Sequence, residues 1–200
     1  MKSKCKLICF EGIDGSGKST NIRLTYNYLK ERGVNVKVYT LVTKRGEFFK
    51  TLNTIIDDIP QQLYCDLFAF ERYKTINKKL LYENMNKYDV ILCNRYLYTD
   101  LAYTLGYGED VSSIEKMLEK AIIPDLNLLF DVDANIAIDR IYNRNKDVWN
   151  RQENIELLTK TRNAYLNNAK KYNLNVINTN KSTDTTFDEC LKYINVIIKQ

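Results

Sequence analysis

Apolar positions in this chain fall into short runs separated by longer, mixed stretches. Lys6 to Phe10 (KLICF) is almost continuously apolar, as a strand covered on both faces in a parallel sheet must be. The same texture returns at Val36 to Val42, Asp89 to Cys93 (DVILC), Leu126 to Val132 and Leu174 to Ile177, which predicts five strands. Between them the pattern turns helical. Lys18 to Arg32 predicts a helix closed by Gly33 as its C-terminal cap, and Phe48 to Ile59 a short one ending before Pro60. Gln61 to Lys87 predicts a long helix, with Leu63, Leu67, Phe70, Ile76 and Leu80 near helical spacing. Helices follow over Thr99 to Tyr107 and Ser112 to Ile123, the second broken by Pro124. Asp133 can cap a helix that starts at Ala134. After a polar stretch, NRNKDVWNRQEN (Asn143 to Asn154), one helix runs to Tyr172 and a last covers Thr185 to Lys199. Strands alternate with helices, with no repeat and no linker. The expected fold is α/β: one domain over residues 1–200, built on a doubly wound, five-stranded parallel sheet.

Composition narrows the chemistry more than the fold. There is no histidine, which excludes Ser-His-Asp and Cys-His catalysis and leaves Lys, Arg, carboxylates and backbone amides. The net charge of +5 suits a nucleic acid or a small polyanion and does not choose between them. The five cysteines are scattered without a C-x-x-C, so neither a disulfide framework nor a zinc site follows, and buried apolar roles are expected. No apolar run is long enough to span a bilayer, and MKSKCKLICFEG lacks a signal-peptide apolar region, so a cytoplasmic protein is expected.

Three of the seven glycines, Gly12, Gly15 and Gly17, crowd into FEGIDGSGKST. Gly12 to Ser19 matches G-x-x-x-x-G-K-[ST], between a predicted strand and a predicted helix. Glycines there let backbone N–H groups converge on an anion, and the helix start adds its free N–H groups and positive dipole end. Gly12, Asp14, Gly15, Ser16, Gly17, Lys18, Ser19 and Thr20 form the expected nucleotide cradle, with Lys18 on the β- and γ-phosphates and the Ser19 hydroxyl on Mg²⁺.

With that loop, the ordered set DLFAFER (Asp66 to Arg72), VILCNRYLYTDLAY (Val90 to Tyr103), PDLNLLFDVDANIAIDRI (Pro124 to Ile141), RNKDVWNRQEN (Arg144 to Asn154) and TRNAYLNNA (Thr161 to Ala169) resembles the thymidylate kinases over nearly the whole chain. The resemblance implies a P-loop kinase fold with a helical lid near residues 143–154. It implies transfer of a phosphoryl group from ATP to dTMP with Mg²⁺, by a homodimer acting on small-molecule nucleotides, without a nucleic-acid or membrane partner. It assigns catalysis to Lys18, Arg95 and, from the lid, Arg144. The acceptor would meet Asp14, Arg45, Phe68, Arg72, Asn94, Arg95, Tyr96, Thr99 and Tyr103. The residues agree in part on their own. Arg95 lies just past the end of a strand, where doubly wound sheets hold ligands, and Phe68 and Arg72 share one helix face. From spacing alone Phe68 reads as core and Arg72 as solvated; the resemblance reverses that reading.

Two departures fall on the acceptor side. The family's Asp-Arg-Tyr is Asn94-Arg95-Tyr96 here, and an amide brings no negative charge to a metal and phosphate network unless Glu11 and Asp14 compensate. The second strand runs into YTLVTKRGEFFK rather than the family's Arg-Glu-Pro-Gly-Gly-Thr, so Arg45 aligns loosely. A kinase of the same fold acting on another nucleoside or nucleoside monophosphate, or a P-loop nucleotide-binding protein without turnover, are the alternative readings.

Overall fold

A computed structural model describes residues 5–41, 54, 58–78, 85–144 and 155–198, with the side chain of Arg144 excepted. Five parallel strands form one sheet: β1 (Lys6–Glu11), β2 (Val36–Thr40), β3 (Val90–Asn94), β4 (Leu126–Asp131) and β5 (Leu174–Asn178), in the order β2-β3-β1-β4-β5. Composition tracks position in that order. The three inner strands, KLICFE, VILCN and LNLLFD, are nearly fully buried, whereas the edge strands VKVYT and LNVIN expose Lys37 and Val176. Inner strands of a parallel sheet are covered on both faces; an edge strand is not.

Among the described residues these helices surround the sheet: α1 (Lys18–Glu31), α2 (Gln61–Ile76), α3 (Leu97–Tyr107), α4 (Ser112–Lys120), α5 (Ala134–Arg144), α6 (Ile155–Asn168) and α7 (Thr183–Ile198). Alternate residues of each inner strand feed two cores. Ile8, Phe10, Leu92 and Leu128 pack with Ile22 and Leu29 of α1 and Ile194 of α7. On the opposite face Leu7, Cys9, Ile91 and Cys93 pack with Leu97 of α3, Ala137 of α5 and Leu158 and Tyr165 of α6. All five cysteines are buried and free, as their scatter implied. No helix among the described residues is long and apolar enough to cross a membrane.

Five helix ends differ from the sequence expectation by two residues or more; one is the start of α3, at Leu97 rather than Thr99. Regular α-helix in α2 stops at Ile76 rather than continuing to Lys87: residues 77–78 form a wider turn and 85–87 an isolated turn. Asn77, whose Oδ1 is buried without a hydrogen-bond partner, stands where the regular helix ends. α4 ends at Lys120, three residues before Ile123. Ala121 is already extended at ψ 159, and Ile123, which the approaching Pro124 keeps out of helix, is 83% exposed. α6 ends at Asn168, not Tyr172, because Asn173 takes a left-handed φ of 51 and the Leu174 amide donates back to the Ala169 carbonyl at 2.8 Å. α7 begins two residues early because the Ser182 hydroxyl accepts from the Thr185 amide at 3.2 Å. The predicted helix at Phe48 to Ile59 lies almost wholly outside the described residues.

β1 sits at the centre of the sheet, with β3 on one side and β4 on the other. Chain connections therefore leave the carboxyl end of β1 in opposite directions, and a crevice opens there.

Candidate active site

A cleft of about 340 Å³ occupies that crevice. Its floor is the loop between β1 and α1. Gly12 has φ 134, and a Cβ on it would lie 2.5 Å from the Phe130 carbonyl oxygen of β4. Gly15 has φ 78, and a Cβ there would lie 2.4 Å from the Ala137 carbonyl oxygen of α5. Only glycine satisfies both the left-handed backbone and the close approach. The loop is thereby pressed against β4 and α5, so that its amides and the first turn of α1 face the cleft. Lys18 is almost wholly buried beneath them, and its Nζ donates to the carbonyls of Gly12 at 2.9 Å and Ile13 at 2.6 Å. Ser19 and Thr20 line the opening. A cradle that excludes side chains, an adjacent buried ammonium and an exposed hydroxyl fit a polyphosphate with its Mg²⁺.

The opposite wall comes from β3 and the corner into α3. Asn94 and Arg95 both line the cleft. Arg95 is a non-glycine residue at φ 71. Its amide donates to the Phe10 carbonyl at 3.0 Å, and its Nη2 donates to Asp14 Oδ1 at 2.5 Å. Asp14 Oδ2 accepts from the Tyr103 hydroxyl at 3.2 Å, and the Arg95 guanidinium lies 5.4 Å from the Tyr103 ring centre. Burial is the largest single influence and opposes the Arg95 charge, but Asp14 together with Tyr103, Tyr165 and Glu11 outweighs it and raises the guanidinium pKa. Asp14, Arg95 and Tyr103, 89 residues apart at the extremes, thus form one group at the cleft's edge.

Arg72 is neither solvated nor alone. It is 3% exposed, and its Nε donates to Asp100 Oδ2 at 2.5 Å, joining α2 to α3. Its Nη1 is buried and makes no hydrogen bond. Burial pushes the Asp100 carboxyl pKa up, and the Arg72 charge opposes that rise. Phe68, one turn earlier, is half-buried against Tyr64, with ring centres 4.5 Å apart. Phe68 and Arg72 therefore do share a face of α2, and that face turns towards α3 rather than to water.

Glu11, considered from sequence as a source of charge for a metal, is 0% exposed and wholly engaged below the site. Its Oε1 accepts from the Tyr96 amide at 2.5 Å, and its Oε2 from the hydroxyls of Thr99 at 2.6 Å and Tyr165 at 2.8 Å. Both of its oxygens are thus engaged by protein donors. Burial raises its pKa, while those hydroxyls and the charges of Arg72 and Arg95 pull it down. Asn94 Oδ1, by contrast, is buried and accepts nothing.

Two residues expected at the acceptor are placed beneath the site instead. The Tyr96 side chain is fully buried in the core, and its hydroxyl donates to the Ile122 carbonyl at 2.6 Å. Thr99 turns its hydroxyl to Glu11 and Tyr165, with Arg95 Nη1 3.4 Å away. Arg45, the Arg144 side chain and the rest of the expected lid through residue 154 lie outside the described residues.

The sequence reading overlooked the cleft's far wall. Arg140 of α5 donates to the carbonyls of Gly15 at 3.3 Å and Thr179 at 2.8 Å, tying the loop to the end of β5. Thr179, Lys181, Thr183 and Thr186 complete that wall. The available signal was positional: residues just past the carboxyl end of a strand face the ligand crevice in this architecture. Asp100 and Tyr165 carried no comparable signal.

The family model described as thymidylate kinase matches residues 10–190. A protein named "Probable thymidylate kinase 1" from Saccharolobus solfataricus is 32% identical over 94% of this chain and 96% of its own. One named "Probable thymidylate kinase" from Sulfolobus acidocaldarius is 33% identical over 92% of this chain and 93% of its own. One named "Thymidylate kinase" from Desulfotalea psychrophila is 29% identical over 97% and 96%.

Proposed function

This chain belongs to the thymidylate kinase family, and on that premise we propose that its cleft brings ATP and dTMP together at Asp14 and Arg95. It is a nucleoside monophosphate kinase that phosphorylates dTMP to dTDP. One observation carries the assignment of roles. The anion cradle around Lys18 and the guanidinium of Arg95 line the same cleft, so a donor phosphate and an acceptor phosphate can lie side by side there.

Phosphoryl transfer asks for alignment and positive charge more than for a strong base, which a histidine-free chain can supply. The amides of residues 12–20 hold the ATP polyphosphate, and Lys18 exchanges its loop carbonyls for phosphate oxygens. Mg²⁺, when bound beside Ser19, supplies further charge to those oxygens. Arg95 holds the dTMP phosphate, and Asp14, freed as that phosphate takes over the guanidinium, accepts from the sugar hydroxyl. Arg72 and Phe68 take the base: the unsatisfied Nη1 suits a base carbonyl, and the ring offers a stacking face. Arg45 adds to the acceptor-phosphate clamp, and Arg144 with residues 143–154 brings charge from a closing lid.

The working unit is a cytoplasmic homodimer without nucleic-acid partners. Leu63 and Phe70, seven residues apart on α2 and 45% and 54% exposed, give it an apolar contact face. Light scattering at micromolar concentration tests the assembly. The activity is tested with the full chain, Mg-ATP and a panel of nucleoside monophosphates, with ADP release followed. dTMP is expected to give the highest kcat/KM. A different preferred acceptor, or no acceptor-stimulated turnover, overturns the proposal.

A further inference from the structure

The backbone of Arg95 is held in a left-handed conformation that is unfavourable for a side-chain-bearing residue, and it persists only where the surroundings over-determine it. Two hydrogen bonds do so. The Arg95 amide is fixed to the Phe10 carbonyl, and the next amide, Tyr96, is fixed to Glu11 Oε1. Phe10 and Glu11 are consecutive residues of β1, directly before the phosphate loop. The corner that aims Arg95 is therefore pinned on both sides of its strained residue to one rigid strand.

Glu11 adds a second hold. Its Oε2 gathers Thr99 from the first turn of α3 and Tyr165 from α6, and those two hydroxyls are themselves 2.8 Å apart. A carboxylate with no exposed surface is costly to bury unless such donors surround it. Isolated hydrophobic packing would hold α3 and α6 against the sheet without that cost. The arrangement instead places one acceptor where three elements must agree on the position of residue 96.

We infer that Glu11 is a positioning residue for the acceptor phosphate: by fixing the Tyr96 amide and the Thr99 hydroxyl, it holds Arg95 in the strained conformation that aims its guanidinium across the cleft. The inference rests on the proposal that Arg95 holds the dTMP phosphate. Glu11 itself touches no substrate. Its loss lets the corner relax out of the left-handed region, which moves Arg95 while the glycine-built cradle stays in place.

The test is steady-state kinetics on the full chain, with dTMP and ATP varied separately, for Glu11→Ala, Glu11→Gln, Arg95→Lys and the Glu11→Ala/Arg95→Lys pair. Arg95→Lys is expected to raise the dTMP KM, and an unchanged value overturns the acceptor assignment itself. Glu11→Ala is expected to raise the dTMP KM about tenfold or more, the scale of losing a charge-assisted contact, with the ATP KM within about twofold. Glu11→Gln keeps an acceptor for the Tyr96 amide and is expected to restore the dTMP KM to near wild type. In the Arg95→Lys background Glu11→Ala should add less than about twofold, because it acts through Arg95. If Arg95→Lys raises the dTMP KM but Glu11→Ala raises both KM values equally, or neither, or adds in full to Arg95→Lys, Glu11 is structural and the inference fails. Should Glu11→Ala not fold, Tyr165→Phe removes one donor from Oε2. It is expected to give a smaller rise in the same KM alone, and no rise overturns the inference.

Discussion

The two walls of the cleft are built by different means. The phosphate loop is backbone: amides, glycine geometry and one lysine, all within Gly12 to Thr20. The facing wall, Asn94 and Arg95, is held by side-chain pairings between distant elements: Arg95 with Asp14 of the loop and Tyr103 of α3, and behind them Arg72 with Asp100 and Glu11 with Thr99 and Tyr165. A backbone cradle recognises what every nucleoside triphosphate shares, its polyphosphate. A wall of paired side chains can be retuned one residue at a time, and the departure from the family's pattern at Asn94 lies on that side. Under the proposed function, generic binding would rest on the geometry of one loop and discrimination on tertiary pairings.

The largest expected effect tests the cradle. Lys18→Ala should lower kcat by about 10²–10³-fold or more, as removal of one preorganised charge does elsewhere, with the protein still folded by circular dichroism. Retained turnover would erase the difference between the walls, because the loop would then be a binding element only.

Next comes the buried pair. Arg72→Ala strands the Asp100 carboxylate, 4% exposed, and should cost about 3–5 kcal/mol of stability in denaturant unfolding. It should also lower the kcat/KM for dTMP by about ten- to a hundredfold, from a lost charge-assisted hydrogen bond worth about 1.5–3 kcal/mol. The ATP KM should hardly change. Arg72→Met with Asp100→Leu separates the two losses: stability should return, since apolar replacements of a buried ion pair are often neutral or better, while acceptor efficiency should not. Recovery of both together would make the pair structural and leave the base without a reader.

A smaller change is expected at Asn94, where an unsatisfied acceptor lines the cleft beside Lys18 and Ser19. Asn94→Asp adds a charge at that point and should lower the Mg²⁺ concentration needed for half-maximal activity without moving the dTMP KM. A shift in acceptor preference instead would place residue 94 on the discriminating side. The smallest effect is on pH dependence. Burial raises the Glu11 pKa in the folded state, so folding takes up a proton there. That contribution is present below the ordinary carboxylate value and is lost as pH rises through the raised one. Glu11→Gln removes the loss, so its Tm relative to wild type should climb in scanning calorimetry as pH rises above the ordinary carboxylate value. A falling difference would mean that the ionised form is the one the fold prefers.

The sequence alone determined the strand and helix order, the parallel sheet and the whole of the phosphate cradle. Each of these is written locally: a buried strand needs contiguous apolar residues, and an anion loop needs glycines at fixed offsets before a lysine. Helix ends were less legible, because Ser182 starts and Asn173 stops a helix through a single local feature. Tertiary structure alone decided that Tyr96 is core, that Arg72 is neutralised by Asp100, that Arg140 braces the loop and that Glu11 accepts from Tyr96, Thr99 and Tyr165. Arg72 meets a partner 28 residues away and Glu11 one 154 residues away. The physical reason is range. A glycine's φ and a helix's first amides are properties of neighbouring residues, whereas the state of a buried charge is set by whatever partner the fold brings within 3 Å, and no local pattern names that partner.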